Sequence, residues 1–304
     1  MLHLMVPLPH GMKSFLNSKR SLRCSYWTSR KRIALPISSL RAWYLSHWLS
    51  STDWVYLESV KGLARIARIR RGPTHKLSVR SCPLLEWYQK DLACAIILTP
   101  MDNVGNDLVV CGVDVSYRDS ARRAWVGGVS MRLSDLEMVE TVSFEVETEF
   151  PYVPGLMCFR EGPLVVEAVK RLTTTPDIIL VDGHGIAHPR RFGLACYVGL
   201  ITGIPTIGCA KSALLGQTVD AYERSYDGIY LVRDQRGEVV GASVEVTRGL
   251  KPIIVSPGHL IDLVGAIEVV RKCSKGYRLP EPLRLAHLLS SKAKKGLYCH
   301  SVKR

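Results

Sequence analysis

The sequence predicts an α/β protein in which a mixed β-sheet carries helices on both faces. Three β-rich segments, 107–117, 124–134 and 137–147, follow one another with only short polar turns between them. Consecutive strands of this kind favour an antiparallel meander. Helical and strand patterns alternate in the rest of the chain, which is typical of a sheet covered by helices. The two patterns together predict one sheet of mixed direction.

The helices are predicted from apolar residues that recur every three or four positions. The first helix opens the regular part of the chain, and its apolar stripe comprises Leu84, Leu85, Tyr88, Leu92 and Ile96. With that first helix at 83–97, further helices are predicted over 163–172, about 192–202, 260–273 and 282–295.

The later strands are predicted from short apolar runs between turn residues. One such run, 228–246, holds Arg236 and Gly237 at its centre and is expected to form a hairpin. The other strands are predicted over 177–182, 205–210 and 251–259.

Basic charge is concentrated at the start of the chain, whose formal net charge is +14. Residues 1–80 hold 15 of the 41 Lys and Arg residues and 2 of the 27 Asp and Glu residues, whereas 81–304 hold 26 and 25. The sequence therefore predicts a basic, disordered extension over 1–80 and one domain over 81–304. Three explanations of the extension stay open: upstream sequence behind a mis-assigned start codon, a nucleic-acid-binding arm, and a targeting segment.

Composition excludes several classes of protein. No apolar run in the sequence approaches the roughly 18 to 20 residues of a membrane span. We therefore expect no membrane partner. The nine cysteines are odd in number and form no C-x-x-C pair. That pattern argues against a zinc knuckle and a disulfide framework, and predicts reduced thiols in the cytoplasm.

Missing motifs exclude three enzyme classes. The segment "GCAKS" lacks the Gly-Lys pair of a P-loop, which argues against an NTPase. The chain also lacks H-E-x-x-H and G-x-S-x-G, the signatures of zinc proteases and of α/β-hydrolases.

Three acidic residues occupy predicted strand or helix positions where a carboxylate is expected to need a hydrogen-bonding, charged or metal partner. Asp114 lies within the first strand, on the face opposite Val113 and Val115, and a buried carboxylate is costly unless it is paired or metal-bound. Glu161 lies at the start of a helix, and Asp182 ends a strand at the edge where α/β sheets place ligands. Each alone has a plainer explanation, as a hydrogen-bonded strand residue or a helix-dipole partner. Together they predict a site for Mg²⁺, with Mn²⁺ as a substitute.

The loop after Asp182 has the composition of an anion site. Gly183 and Gly185 flank His184, so the backbone there is expected to approach a phosphate closely. His188 is interpreted as a hydrogen-bonding residue that supports the loop rather than as a metal ligand.

Basic residues lie near the same sheet edge. Arg190 and Arg191 precede a helix N-terminus that is expected to face an anion. Lys211 ends the next strand, where its charge would stabilise a phosphate. His259 follows a Pro-Gly turn after an apolar strand and is expected to orient or protonate a group at the metal. The alternative is a histidine at a helix start with no role.

Six segments resemble the endonuclease V family: "VCGVDVSY", "FPYVPGLMCFREGP", "DIILVDGHGIAHPRRFGLACYVGL", "IPTIGCAKS", "VSPGH" and "PLRLAHLLS". The resemblance runs from about Leu84 to about Lys295 and does not include residues 1–80. It implies a ribonuclease H-like fold and Mg²⁺-dependent hydrolysis of the second phosphodiester bond 3′ to a hypoxanthine base, leaving 5′-phosphate ends.

The resemblance also implies roles for individual residues. Asp114 and Asp182 would be metal ligands and Glu161 the third acidic member. His259 and Lys211 would be the active-site histidine and lysine.

A short proline-rich motif resembles the strand-separating wedge of the family. It comprises Pro151, Tyr152, Val153 and Pro154, with Val153 where isoleucine is usual. The loop Gly183, His184, Gly185 and His188 would hold the lesion-containing strand.

Three functions compete at this point. The first is a monomeric cytoplasmic DNA-repair endonuclease acting on DNA with deoxyinosine or other deaminated bases. The second is an endoribonuclease specific for inosine-containing RNA. The third is a non-catalytic module that binds the lesion, against which the intact set of acids argues.

Overall fold

The computed structural model describes residues 83–101, 104–105, 107–118, 123–148, 150–214, 216–220 and 227–296. These residues belong to the unit Val79–Arg304. The interpretation of 1–80 as a basic extension falls on residues outside the described ranges.

Nine strands form one sheet in the described part of the chain. They are β1 (Val109–Tyr117), β2 (Arg123–Arg132), β3 (Met138–Glu147), β4 (Ile178–Val181), β5 (Thr206–Ala210), β6 (Thr218–Val219), β7 (Ile229–Arg233), β8 (Val239–Val244) and β9 (Ile253–His259). Their order across the sheet is β3-β2-β1-β4-β5-β9-β8-β7-β6. The strands β1, β4 and β5 are parallel, and the other neighbours are antiparallel. The predicted mixed sheet is confirmed.

Five described helices cover this sheet: α1 (Pro83–Ala93), α2 (Met157–Arg171), α3 (Leu194–Thr202), α4 (Leu263–Lys272) and α5 (Glu281–Lys294). Side chains alternate between the two faces of a sheet along each strand. The contacts of residues that face opposite sides therefore show which helix covers each face. A Cβ on Gly112 would lie 2.3 Å from the carbonyl carbon of Pro282 in α5, whereas Gly128, on the other face, lies beside Ala168 of α2. Helices on both faces are therefore confirmed.

Close packing of α5 on the sheet depends on two glycines. Besides Gly112, Gly127 in β2 faces α5, where a Cβ would lie 2.5 Å from the carbonyl oxygen of Ala286. Any larger side chain at either position would push α5 away from β1 and β2. The helix consequently lies close enough for its side chains to reach residues of β1.

Two of the boundaries that differ from the predicted ones concern residues of the site. The helix α2 begins at Met157 and contains Pro163 in its interior, whereas proline was expected in the first turn. Glu161 therefore lies in the second turn of α2, not at its start. The strand β9 continues through Pro257 and Gly258 to His259, with an irregularity in its pairing with β5 instead of a turn.

None of the helices in the described ranges is long and apolar enough to cross a membrane.

Candidate active site

Asp114 is a buried carboxylate in β1 whose side chain is contacted by α5. Its exposed fraction is 6%. The hydroxyl of Ser290 donates a hydrogen bond of 2.6 Å to Asp114 Oδ2, and His287 Nδ1 lies 3.3 Å from the same oxygen. The hydrogen bond to Asp114 raises the pKa of His287 against the opposing effect of burial. These contacts give hydrogen-bonding partners to a carboxylate that would be costly to bury if left unpaired.

Glu161 faces Asp114 and Asp182 from α2. Burial, followed by the negative charges of Asp114 and Asp182, raises the pKa of Glu161 to about 8. The charges of Asp114 and Asp182 act on Glu161 only if the three carboxylates lie near one another. The predicted convergence of these acids is therefore supported by the electrostatics of the site.

Asp182 and Lys211 lie at the ends of two neighbouring parallel strands. Asp182 follows β4 and Lys211 follows β5, and the two strands pair in parallel register. Lys211 Nζ donates to Asp182 Oδ2 at 2.7 Å, with 49% of the lysine side chain exposed. The pair is thus open to solvent and to a ligand.

One cavity of about 350 Å³ joins these residues to the proline-rich loop and to the loop after β4. Its lining includes Asp114, Tyr152, Glu161, Asp182, Gly183, His184, His188 and Lys211. Most of the residues singled out from the sequence are therefore gathered at one site.

The proline-rich loop projects its tyrosine outward beside this cavity. Tyr152 is 63% exposed, and Pro151 and Pro154 are exposed on either side of it, with Val153 half-buried. Proline fixes its own backbone φ and restricts the residue before it, so the loop presents a stiff, accessible aromatic ring.

Both histidines of the loop after β4 are held in the neutral form. His188 Nε2 donates to the carbonyl oxygen of Gly155 at 3.1 Å, and His188 Nδ1 accepts from the amide of Arg190 at 3.2 Å. Burial and the nearby positive charge of Arg190 lower the pKa of His188 to about 3. His184 donates from Nε2 to the carbonyl oxygen of Ser212, and burial lowers its pKa too. His188 supports the loop by hydrogen bonds, as expected.

Gly185 does not approach the cavity, contrary to expectation. Its amide donates to Ser256 Oγ at 2.7 Å, and a Cβ there would lie 1.9 Å from the carbonyl oxygen of Pro257. The glycine is needed because the loop packs directly on β9. Gly183, which does line the cavity, is the member of the pair that can approach a ligand.

The two arginines that precede the helix N-terminus, Arg190 and Arg191, are engaged within the protein. Arg191 has a positive φ of 56° and pairs with Asp234 and Glu238 at the β7–β8 hairpin. Arg190 donates to the side chain of Gln89 and to the carbonyl oxygen of Gly155. Both guanidinium groups therefore hold loops together.

The expected position of His259 at the acids is wrong. His259 pairs with Thr206, the first residue of β5, whereas Lys211 follows the last residue of that strand. Its Nδ1 accepts a hydrogen bond from the amide of Ile97 at 3.2 Å, and burial lowers its pKa. Because β9 runs antiparallel to β5, its last residue lies at the opposite sheet edge from Asp182.

Two residues of the site, and one residue that supports its loops, were missed by the sequence analysis. His287 and Ser290 share one face of α5 because they are three positions apart, and the segment "PLRLAHLLS" that contains them was available as a signal. Gln89, which lines the cavity from α1, falls beside the apolar stripe of that helix and had no such signal.

The acids fit a hard cation by their chemistry. Within the described ranges, no group of three or more His, Cys, Asp or Glu side chains is arranged so that it could hold a metal ion as it stands. The donors nevertheless comprise three carboxylates whose repulsion a divalent cation would relieve, and oxygen ligands suit Mg²⁺ or Mn²⁺. The Lys211 ammonium supplies part of that positive charge to Asp182 in this structure.

Comparison with known proteins decides the family. Residues 90–288 match the family model described as Endonuclease V. The chain belongs to the endonuclease V family. It is accordingly a nuclease of the endonuclease V type, and its fold is the ribonuclease H-like fold of that family.

Individual relatives are similar to this chain over most of their own length. An endonuclease V of Methanothrix thermoacetophila is 42% identical over 224 residues, which are 74% of this chain and 96% of the relative. The crystal structure of endonuclease V from Streptomyces avermitilis is 34% identical, with a TM-score of 0.66 over 71% of this chain and 94% of that one.

A further endonuclease V, from Ciona intestinalis, was crystallised in complex with a 24mer DNA containing an inosine followed by a ribo-adenosine. It is 27% identical, with a TM-score of 0.64, and the match covers 72% of this chain and 100% of that one.

Proposed function

We propose that this protein recognises deoxyinosine, the product of adenine deamination, in DNA and hydrolyses the second phosphodiester bond on its 3′ side. The observation that carries the proposal is that one cavity joins three carboxylates to an exposed tyrosine on a stiff loop. The acids supply a site for hydrolysis, and the tyrosine supplies a surface on which a base stacks. The complex of the Ciona relative with inosine-containing DNA agrees with this substrate class.

Asp114, Asp182 and Glu161 would hold Mg²⁺, or Mn²⁺ in its place. A divalent cation bound by carboxylates activates water for attack on phosphorus and neutralises developing negative charge. Ser290 and His287 contact the same oxygen of Asp114 and orient its carboxylate. The exposed Lys211 ammonium lies beside Asp182 and would stabilise the charge of the phosphate that is cut.

The lesion would enter the cavity next to the acids. A nucleobase must leave the stack to be read, at a cost of a few kcal/mol that is least where pairing is weak. Tyr152, flanked by Pro151 and Pro154, would separate the strands and offset that cost for hypoxanthine. Gly183 would allow close backbone approach, and His184 and His188 would form the polar wall.

Four further properties belong to the same proposal. Other deaminated bases would be accepted where they pair weakly. The products would carry 5′-phosphate ends. The protein would act as a monomer. We place it in the cytoplasm, because Cys111, Cys158, Cys196, Cys209 and Cys273 are buried free thiols, as expected in a reducing compartment.

An endoribonuclease acting on inosine-containing RNA is the second candidate. It is favoured by the ribo-adenosine that follows the inosine in the complex of the Ciona relative. The 2′-hydroxyl distinguishes the two substrates, since it is both a donor and an acceptor.

One experiment separates these candidates. Purified protein is incubated in Mg²⁺ with matched oligonucleotides: deoxyinosine DNA, inosine RNA, and deoxyinosine DNA with one ribonucleotide after the lesion. We expect a nick at the second bond 3′ to the lesion in DNA, which DNA ligase reseals because the 5′-phosphate is present. Faster cutting of the RNA would establish the second candidate, and cleavage that persists in EDTA would contradict the metal site.

A further inference from the structure

A buried glutamine lies between α1 and the loops of the cavity. Gln89 is fully buried, and both ends of its amide are bonded. Gln89 Nε2 donates to the carbonyl oxygen of Phe192 at 2.8 Å and to Cys158 Sγ at 3.2 Å, and Gln89 Oε1 accepts from Arg190 Nε at 2.6 Å. A buried amide is tolerated only when its hydrogen bonds are made. The orientation of the Gln89 side chain is thereby determined by its surroundings.

Arg190 carries this orientation to the proline-rich loop. Its Nη2 donates to the carbonyl oxygen of Gly155 at 2.7 Å while its Nε remains on Gln89. A planar guanidinium group holds two acceptors at fixed angles, which a lysine ammonium does not do. Arg190 therefore fixes the position of Gly155 relative to α1.

Gly155 is the residue that follows the tyrosine-bearing motif. Its φ is +79°, and a Cβ there would lie 2.6 Å from Arg190 Nη2. The same carbonyl oxygen also accepts from His188. Directly after it, the amide of Leu156 donates to the carbonyl oxygen of Val153 at 2.9 Å and closes the turn of the loop. One carbonyl group thus anchors the base of the loop that presents Tyr152.

We propose that the Gln89–Arg190 pair is a positioning device that holds the Tyr152 loop in the orientation needed to open duplex substrates. The proposal rests on the proposed function, in which Tyr152 separates the strands. Without the hydrogen bonds of this pair, the loop that carries Tyr152 would no longer be held in one orientation relative to the cavity. The chemistry at the acids would be retained, since the described hydrogen bonds of Gln89 and Arg190 do not go to Asp114 or Asp182.

The test uses Arg190→Lys and Gln89→Met, with Arg191→Lys as the matched control. Arg190→Lys keeps the charge but cannot hold both acceptors, and Gln89→Met keeps the length but cannot accept from Arg190. Arg191→Lys makes the same exchange at the neighbouring position, which contacts the β7–β8 hairpin and not Gly155. If Arg190→Lys is unfolded by thermal melting, Gln89→Met carries the test.

The first measurement is steady-state cleavage of duplex and single-stranded deoxyinosine DNA of the same sequence. For both variants we expect kcat/KM on the duplex to fall by about tenfold or more, mainly through KM, because small misplacements at a site cost one to two orders of magnitude. On the single strand we expect a loss of less than about threefold, because no duplex has to be opened. Equal losses on the two substrates, or none, would overturn the proposal.

The second measurement needs no substrate. Hydrogen exchange of the Leu156 amide in the free protein reports whether the turn at the base of the loop is held. We expect faster exchange in Arg190→Lys and Gln89→Met than in the parent and in Arg191→Lys. Unchanged exchange of this amide in both variants would overturn the proposal. A parent protein that cuts no deoxyinosine substrate would instead refute the proposed function, and the exchange measurement could still be made.

Discussion

The hydroxyl of Ser290 donates a hydrogen bond of 2.6 Å to Asp114 Oδ2 across 176 positions of the chain. Asp114 is 6% exposed, so this bond and the His287 contact replace much of the water that the carboxylate loses on folding. The bond exists because Gly112 and Gly127 let α5 lie directly on the sheet. The metal site that we propose therefore depends on a helix at the far end of the chain.

Ser290→Ala should destabilise the fold and weaken the site together. Loss of a donor to a buried carboxylate costs about 1–3 kcal/mol, measurable by urea unfolding, and we expect the Mg²⁺ concentration for half-maximal cleavage to rise. Ser116→Ala is the control, because Ser116 Oγ contacts Ser290 Oγ at 2.9 Å but the Asp114 bond stays. Equal effects of the two substitutions would contradict the role assigned to Ser290.

Asp182→Asn should abolish cleavage while lesion binding is retained. The amide has the shape of the carboxylate but lacks the negative charge that holds the cation, so we expect kcat to fall by more than about 100-fold. Single-turnover cleavage measures the loss, and gel shift measures binding. The control is Asp177→Asn, since Asp177 lies just before β4 and accepts from the Val109 amide at 2.8 Å. A near-normal rate for Asp182→Asn in Mg²⁺ would show that the metal site is wrong.

Tyr152→Ala should impair recognition more than chemistry. A base stacked on an aromatic ring contributes roughly 1–3 kcal/mol, so we expect weaker binding of duplex deoxyinosine DNA and an unchanged melting temperature. Tyr277→Ala is the control, since Tyr277 is also exposed but packs under Arg284. A lower melting temperature with unchanged affinity would mean that Tyr152 only packs against its neighbours.

Removal of residues 1–80 should leave folding and nicking intact. If the segment is a basic arm, the salt dependence of DNA binding should become shallower, because fewer counterions are released. A longer deletion, of residues 1–96, removes α1 with Gln89 and should impair duplex cleavage. An insoluble or inactive protein after the shorter deletion would show that 1–80 is part of the domain.

His188 should make stability depend on pH in acid. Its pKa is about 3 in the folded protein and ordinarily 6.5, so the unfolded chain takes up the proton first as the pH falls. The stability that neutral His188 contributes is complete above pH 6.5 and is lost as the pH falls toward 3. The advantage of the parent over His188→Gln in free energy of unfolding should therefore shrink as the pH falls below 6.5, with a slope of at most about 1.4 kcal/mol per pH unit. A difference that does not change between pH 7.5 and 5 would contradict this assignment.

The sheet and two of its acids were predictable from local sequence. Asp182 ends an apolar run, and Asp114 interrupts one. These patterns predict one carboxylate at the end of a strand and one within a strand. Parallel strands end at the same sheet edge, which places Asp182 beside Lys211 as soon as β4 and β5 are recognised. The outward Tyr152 was predictable as well, because its flanking prolines restrict the loop whatever the rest of the chain does.

Only the tertiary structure decided which distant side chains complete the site. His259 and His287 both stand in segments that resemble the family, and the antiparallel direction of β9 takes His259 to the other sheet edge. The close packing of α5 on Gly112 and Gly127 brings His287 and Ser290 to Asp114 instead. Likewise, Arg190 is an internal link because a buried amide on α1, 101 positions away, needs a donor. Such pairings arise from long-range packing and from the need to satisfy buried polar groups, which no local pattern encodes.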